Sequence, residues 1–126
     1  MKDVGKSSFN KPKIRIYEEL GISKTRFLGY DEVKAASVVI GLISKDGVTT
    51  EVDEGDEVEV VLVDTPFYSE GGGQVGDTGQ IVGAGWVIDV HDTQMAMPDL
   101  TVHFGKVRQG RATLGDAIDA YVDPVR

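Results

Sequence analysis

From residue 35 onward, apolar and polar positions alternate with the period of two that marks β-strands. Val38, Ile40 and Leu42 share one face of a first predicted strand, which Lys45-Asp46-Gly47 turns. A brief strand over 48–52 follows, and then the turn Glu54-Gly55-Asp56. Beyond it Val58, Val60 and Leu62 alternate with Val61 and Val63, a pattern that predicts a strand buried on both faces. A short strand at 80–82 turns at Gly83-Ala84-Gly85 and leads to Trp86, Ile88 and Val90, set against Val87 and Asp89. Pro98-Asp99 turns the chain again into Leu100, Val102 and Phe104. The last strand covers 117–122, introduced by Leu114-Gly115-Asp116. Short strands at this spacing, joined by Gly and Asp turns, predict a mostly β fold, a small barrel or sandwich.

The stretch before residue 35 reads differently. Residues 1–11 are polar and predict a flexible tail. Pro12 suits a helix start, Ile14, Tyr17 and Leu20 form one apolar stripe, and Gly21 supplies a stop, so a short helix is expected over about 12–20. Phe27-Leu28-Gly29-Tyr30 is the apolar cluster expected to pack a connector onto the body. The predicted organisation is therefore a tail at 1–11, a helix and connector at 12–34, and a β domain at 35–126. Gly55-Asp56-Glu57-Val58 and Gly115-Asp116-Ala117-Ile118 echo one another. Either Gly-Asp is simply a common turn, or a closed barrel builds two equivalent corners alike.

Composition narrows the class. With 126 residues, 40% of them apolar, the chain suits one domain with a single core. The longest apolar run, 38–43, is too short to span a membrane, and no secretory h-region is present. The absence of cysteine excludes disulfides and thiolate metal sites and fits a cytoplasmic protein. Net charge is −8, unevenly spread: residues 1–34 carry eight Lys/Arg against five Asp/Glu, and the remaining 92 carry five against sixteen. An acidic body repels phosphate, which disfavours independent nucleic-acid binding.

Candidate chemistry concentrates between Asp64 and Gly79, where five of the chain's 16 glycines stand beside Phe67, Tyr68, Glu70 and Gln74. Gly71-Gly72-Gly73-Gln74-Val75-Gly76 fits G-x-G-x-x-G, but a β pattern follows where a dinucleotide site needs a helix. The remaining readings are a structural wide turn, or a backbone surface presenting N–H groups to a ligand with Gln74 as donor and acceptor. His91 and His103 are the only histidines, too few for a zinc site without carboxylates, and are read as surface or packing residues. Ser69 beside Glu70 has no nearby histidine, so a hydrolase triad is unsupported. Asp64 and Glu70 suit acid–base work or turn closure, and the acidic run 53–59 reads as a solvated edge. Lys106, Arg108 and Arg111 form the body's one basic cluster, a solvated turn or a contact for one or two phosphates.

Thr65-Pro66-Phe67-Tyr68-Ser69-Glu70-Gly71-Gly72-Gly73-Gln74-Val75-Gly76-Asp77-Thr78-Gly79 resembles the motif T-P-F-Y-x-E-x-G-G-Q-x-G-D-x-G of alanyl-tRNA synthetases. Phe27-Leu28-Gly29-Tyr30-Asp31 resembles the family's F-x-G-Y-D/E, and Val90-His91-Asp92-Thr93-Gln94 its V-x-D-T-Q. His103-Phe104-Gly105-Lys106-Val107, with Gly110 and Gly115-Asp116, resembles its H-x-G-x-V stretch. The likeness covers about residues 12–126. It implies a small closed Greek-key-like barrel similar to the second domain of translational GTPases, packed on a zinc-containing editing domain that hydrolyses mischarged tRNA(Ala). By resemblance, Thr65, Gly72, Gly73 and Gln74 line one wall of the editing pocket, and Lys106, Arg108 and Arg111 are possible tRNA contacts. Gly71 departs from the serine that bacterial members often carry.

The family's zinc ligands, an H-x-x-x-H and a later C-x-x-x-H, follow a V-D-x-x-R that matches Val122-Asp123-Pro124-Val125-Arg126. The motifs for ATP and alanine precede the matched region. The resemblance therefore implies one domain of a longer ligase. No catalytic residue and no metal ligand is expected in it, and no cofactor bound by it. ATP, magnesium and zinc are expected in the parent, with tRNA(Ala) and the adjacent editing domain as partners. A free-standing editing hydrolase and an unrelated β-barrel binding module are the rival readings.

Overall fold

The computed structural model describes residues 25–28, 33–69, 76–97 and 100–123. The expected tail at 1–11, the helix at 12–20, Gly29 and Tyr30 of the apolar cluster, the loop residues 70–75 and the Pro98-Asp99 turn lie outside the described residues. Eleven strands are described: β1 (Arg26–Phe27), β2 (Lys34–Ser44), β3 (Gly47–Thr49), β4 (Glu51–Asp53), β5 (Glu57–Leu62), β6 (Asp64–Thr65), β7 (Gly79–Gly83), β8 (Trp86–Met97), β9 (Leu100–Gln109), β10 (Arg111–Thr113) and β11 (Ala117–Val122). Among the described residues there is no helix.

Six strands close on themselves in the order β2-β5-β9-β8-β7-β11, with β11 returning to β2, and every pairing is antiparallel. The steps from β5 to β7 and from β9 to β11 each pass over two strands, which is Greek-key connectivity. Closure removes the open edges of the main sheet. The expected closed β-barrel is the observed fold.

Inside it, Val58, Val60 and Leu62 meet Ile81, Trp86, Ile88, Val90, Val107, Ile118, Ala120 and Val122. Burying side chains of this size contributes roughly 1.5–3 kcal/mol each. A second cluster of Ile43, Val61, Ala96, Leu100 and Val102, with Ile40 and Phe104 packed on it, forms separately from the interior. This explains the apolar residues on both faces of β5. Val63, expected on the second face, lies past the end of β5 and is 43% exposed.

The face expected for β2 is corrected. Val38, Ile40 and Leu42 do not share a side: Val39 and Leu42 are core, while Val38 is 37% exposed. The β2–β5 register shifts between Val39 and Gly41. Such a bulge adds one residue and inverts the inward parity beyond it.

The two Gly-Asp turns are equivalent corners. β4 and β10 pair with Val52 opposite Ala112. Gly55 and Gly115 each adopt φ +92°, a conformation that favours glycine. Gly55 N donates to Val107 O and Val107 N to Asp56 O; Gly115 N donates to Val39 O and Val39 N to Asp116 O. The same four-atom exchange thus locks each corner onto a barrel strand. The reading as equivalent corners holds.

Candidate functional site

One end of the barrel gathers the most distinctive residues of the sequence. Thr65 on β6 is fully buried, and its hydroxyl lies 2.7 Å from Nε2 of His103. The same oxygen accepts a hydrogen bond from Phe67 N at 3.0 Å. His103, on β9, is paired with Val60 of β5 on one side and Thr93 of β8 on the other. Its Nδ1 lies 2.9 Å from Val60 O. Phe67 is buried and packs its ring edge-on against the imidazole, with centroids 5.1 Å apart.

The chain then passes to the base of the glycine loop. Tyr68 and Asp77 clasp each other: Asp77 N donates to Tyr68 O at 2.9 Å, and Tyr68 N to Asp77 Oδ2 at 2.9 Å. Buried Thr93 donates from Oγ1 to Asp77 O at 2.8 Å. Asp92 Oδ1 accepts from Gly76 N and Thr93 N, both at 2.8 Å, and from Gln94 Nε2 at 3.1 Å. A Cβ at Gly76 would stand 2.2 Å from Thr93 O, so only glycine permits this approach. Both stalks of the loop are therefore tied to β8, and through β6 to the imidazole inside the barrel wall. Each of these bonds satisfies a group that burial would otherwise leave costly.

Electrostatics at this end are set by His103. Desolvation lowers its pKa from 6.5 to about 4, opposed in part by the hydrogen bond to Val60. The imidazole is neutral at physiological pH. His91 is exposed and takes no part. Among the described residues, no three His, Cys, Asp or Glu side chains stand close enough to hold a metal.

Of the residues singled out in the sequence, Thr65 lies within this network, while Gly72, Gly73 and Gln74 lie outside the described residues, between the stalks at Ser69 and Gly76. Asp64 forms an ion pair with Arg26 at 2.8 Å. Lys106 and Arg108 share the outer face of β9 and Arg111 lies on β10. Arg108 pairs with Asp89 at 2.9 Å; Arg111 pairs with Asp53 at 2.7 Å and with Glu51 at 3.7 Å. The Asp53 hydrogen bond, then the charges of Asp53 and Glu51, raise the pKa of Arg111 further. Lys106 has no carboxylate partner among the described residues. His103, Thr93, Asp77 and Asp92 were not reached by reasoning from residue chemistry. The available signal was parity, because Val102 and Phe104 on one face of β9 put His103 on the other.

A profile of the family described as tRNA synthetases class II (A) matches residues 2–126. The chain is 40% identical over 111 residues to an alanine–tRNA ligase of Chloroflexus aurantiacus, covering 88% of this chain and 12% of that protein. It is 47% identical over 103 residues to that of Saccharopolyspora erythraea, covering 81% of this chain and 12% of the relative. A chloroplastic/mitochondrial alanine–tRNA ligase of Sorghum bicolor is 40% identical over 93% of this chain and 13% of its own length. The chain thus spans about an eighth of the length of the curated relatives it matches.

Proposed function

This chain belongs to the class II tRNA synthetases (A), as a segment of the alanine–tRNA ligase kind, and from that membership we propose that its barrel forms one wall of an editing site for mischarged tRNA(Ala). One observation carries the reading. The hydrogen-bonded run from Val60 through His103 and Thr65 to Phe67 stands beside the clasp of Tyr68, Asp77, Thr93 and Asp92, and so fixes the ends of the glycine loop at one barrel mouth. A wall of this kind needs a rigid base and a backbone that can approach a ligand closely. Gly72, Gly73 and Gln74 are the loop residues proposed to face the aminoacyl group, with Thr65 behind them.

The described side chains do not fit a zinc site, and the chain has no cysteine. In this reading the metal ligands come from an adjacent editing domain, and ATP and magnesium belong to aminoacylation elsewhere in a parent ligase. The barrel would also help position tRNA(Ala) in the cytoplasm. Lys106 is the better placed of the three basic candidates, because Arg108 and Arg111 are already held by carboxylates.

The test has two arms. This chain, incubated with seryl-tRNA(Ala) with and without zinc, should give no deacylation above background; turnover would mean a self-sufficient hydrolase. In the Chloroflexus aurantiacus ligase carrying this chain in place of its matched segment, Gln74→Ala should slow deacylation at least about tenfold, equivalent to one lost hydrogen bond of about 1.4 kcal/mol. Unchanged deacylation there would remove the loop from the site.

A further inference from the structure

We propose that the outer apolar cluster of the barrel is the docking face for residues 12–24 of this same chain, with Ile14, Tyr17 and Leu20 seated on Val61, Leu100 and Val102. The docked segment braces β6, the strand that leads into the glycine loop.

The face itself requires a covering layer. Val61 alternates with the inward Val60 and Leu62, and Val102 precedes the inward His103, so both point out of the barrel. Ile43 joins them from β2, opposite Glu59, and Leu100 from the start of β9. A sheet face turned away from its own interior stays dry only under a second layer. Val61 and Leu100 are nevertheless 0% exposed, and Ile43 and Val102 1%. Among the described residues this cluster draws on β2, β5, β8 and β9 alone, the strands that form the face. The two short strand pairs outside the ring serve other places. Val52 of β4 and Ala112 of β10 belong to the interior cluster, and Thr65 of β6 to the His103 network.

Composition, direction and charge point to one occupant. Residues 29–32, 70–75, 98–99 and 124–126 each hold at most one large apolar side chain other than proline. That is too little to cover four strands, a width of about 14 Å. Residues 12–24 hold five, Ile14, Ile16, Tyr17, Leu20 and Ile22, whereas the apolar residues of 1–11 are only Met1, Val4 and Phe9. β1 runs parallel to β6 with Arg26 opposite Asp64, and Arg26 N donates to Val63 O at 2.9 Å. The segment that ends at Lys24 therefore arrives beside the end of β5, close to Val61, and Thr25 is already buried there. Glu57 and Glu59 stand on the outward side of β5. Residues 1–24 carry six Lys/Arg against three Asp/Glu, so the segment is attracted to that side.

Docking at this face reaches the loop through β1. Arg26 N bonds Val63 O, and Leu28 N bonds Thr65 O at 2.7 Å. A segment anchored on the outer cluster holds β1 against β6. The docking stands apart from the editing-wall reading, and its test reads no activity.

Nuclear Overhauser NMR of the isotope-labelled chain at pH 7 should show contacts from the Tyr17 ring and the Leu20 methyls to the methyls of Val61, Leu100 and Val102. No contact from residues 12–24 to these methyls, or contacts to Val38 and Tyr121 on the β2–β11 side instead, overturns the proposal. In a mixture of differently labelled chains, contacts seen only between copies would place a neighbouring chain on the face and overturn it equally. Leu20→Asp should raise the unfolding equilibrium constant at least about tenfold. It should also move the Val61, Leu100 and Val102 methyl resonances while those of Ile81 and Ile118 hold. Unaltered stability in that variant overturns the docking. Leu20→Ala, a milder change, serves for the bracing: amide exchange at Arg26 and Leu28 should quicken about tenfold, while Val107 N keeps its rate. Unchanged exchange at Arg26 and Leu28 overturns the brace on β6.

Discussion

Acidifying this chain from pH 7.5 to pH 4 should weaken its fold by about 3 kcal/mol through His103 alone. The folded group titrates at about 4 and the unfolded one near 6.5. Each unit of difference is worth about 1.4 kcal/mol. The sign follows from proton binding. Between about pH 6.5 and 4 the unfolded chain holds a proton on this residue and the folded chain does not, so stability rises with pH. The contribution is fully present above 6.5, is lost as pH falls toward 4, and is level below that. Urea unfolding at pH 7.5, 6, 5 and 4, followed by far-UV circular dichroism, measures it against His103→Gln. That variant is less stable at pH 7.5 but has no proton to take up at this position. Carboxylate titration is common to both proteins and cancels in the difference. The gap between them should narrow by about 3 kcal/mol across the window. A gap that stays constant, or a His103 ring that titrates near 6.5 in the folded state, would refute the reasoning.

Other outcomes follow from the same contacts. Gly55→Ala and Gly115→Ala meet no neighbouring atom but must hold φ +92°; each should cost about 1–2 kcal/mol, and the two costs should match and add in the double variant. Denaturation midpoints check this, and a mismatch above about 1 kcal/mol would break the equivalence of the corners. Trp86 is buried and its Nε1 donates to Asp116 Oδ2 at 2.9 Å. Trp86→Phe should lose about 2–4 kcal/mol from the charged hydrogen bond and the vacated volume, and a double-mutant cycle with Asp116→Asn should show positive coupling. Asp92→Ala removes the acceptor of Gly76 N and Thr93 N. Amide exchange at those two positions should quicken about tenfold, as expected for one lost hydrogen bond, while that of Val60 stays unchanged.

The sequence by itself determined where the strands lie and which way most of them face. Val58, Val60 and Leu62, then Trp86, Ile88 and Val90, then Ile118, Ala120 and Val122 hold the period of two, and all enter the core. Alternation is a local property, readable from neighbours along the chain. The Gly-Asp corners were visible for the same reason, since a turn needing positive φ leaves its glycine in the sequence. The motif from Thr65 to Gly79 was equally legible as the distinctive stretch.

Tertiary structure decided what depends on distant partners. The bulge in β2 arises from its register with β5, and it turned Val38 outward. Arg108 and Arg111 looked like free cations until folding brought Asp89 and Asp53 to them, 19 and 58 residues away. His103 looked like an isolated packing residue. It is buried, but its two ring nitrogens find Thr65 and Val60, 38 and 43 residues distant, and burial then fixes its charge. A side chain's period is written in its neighbours along the chain. Its proton is decided by atoms that only barrel closure brings within 3 Å.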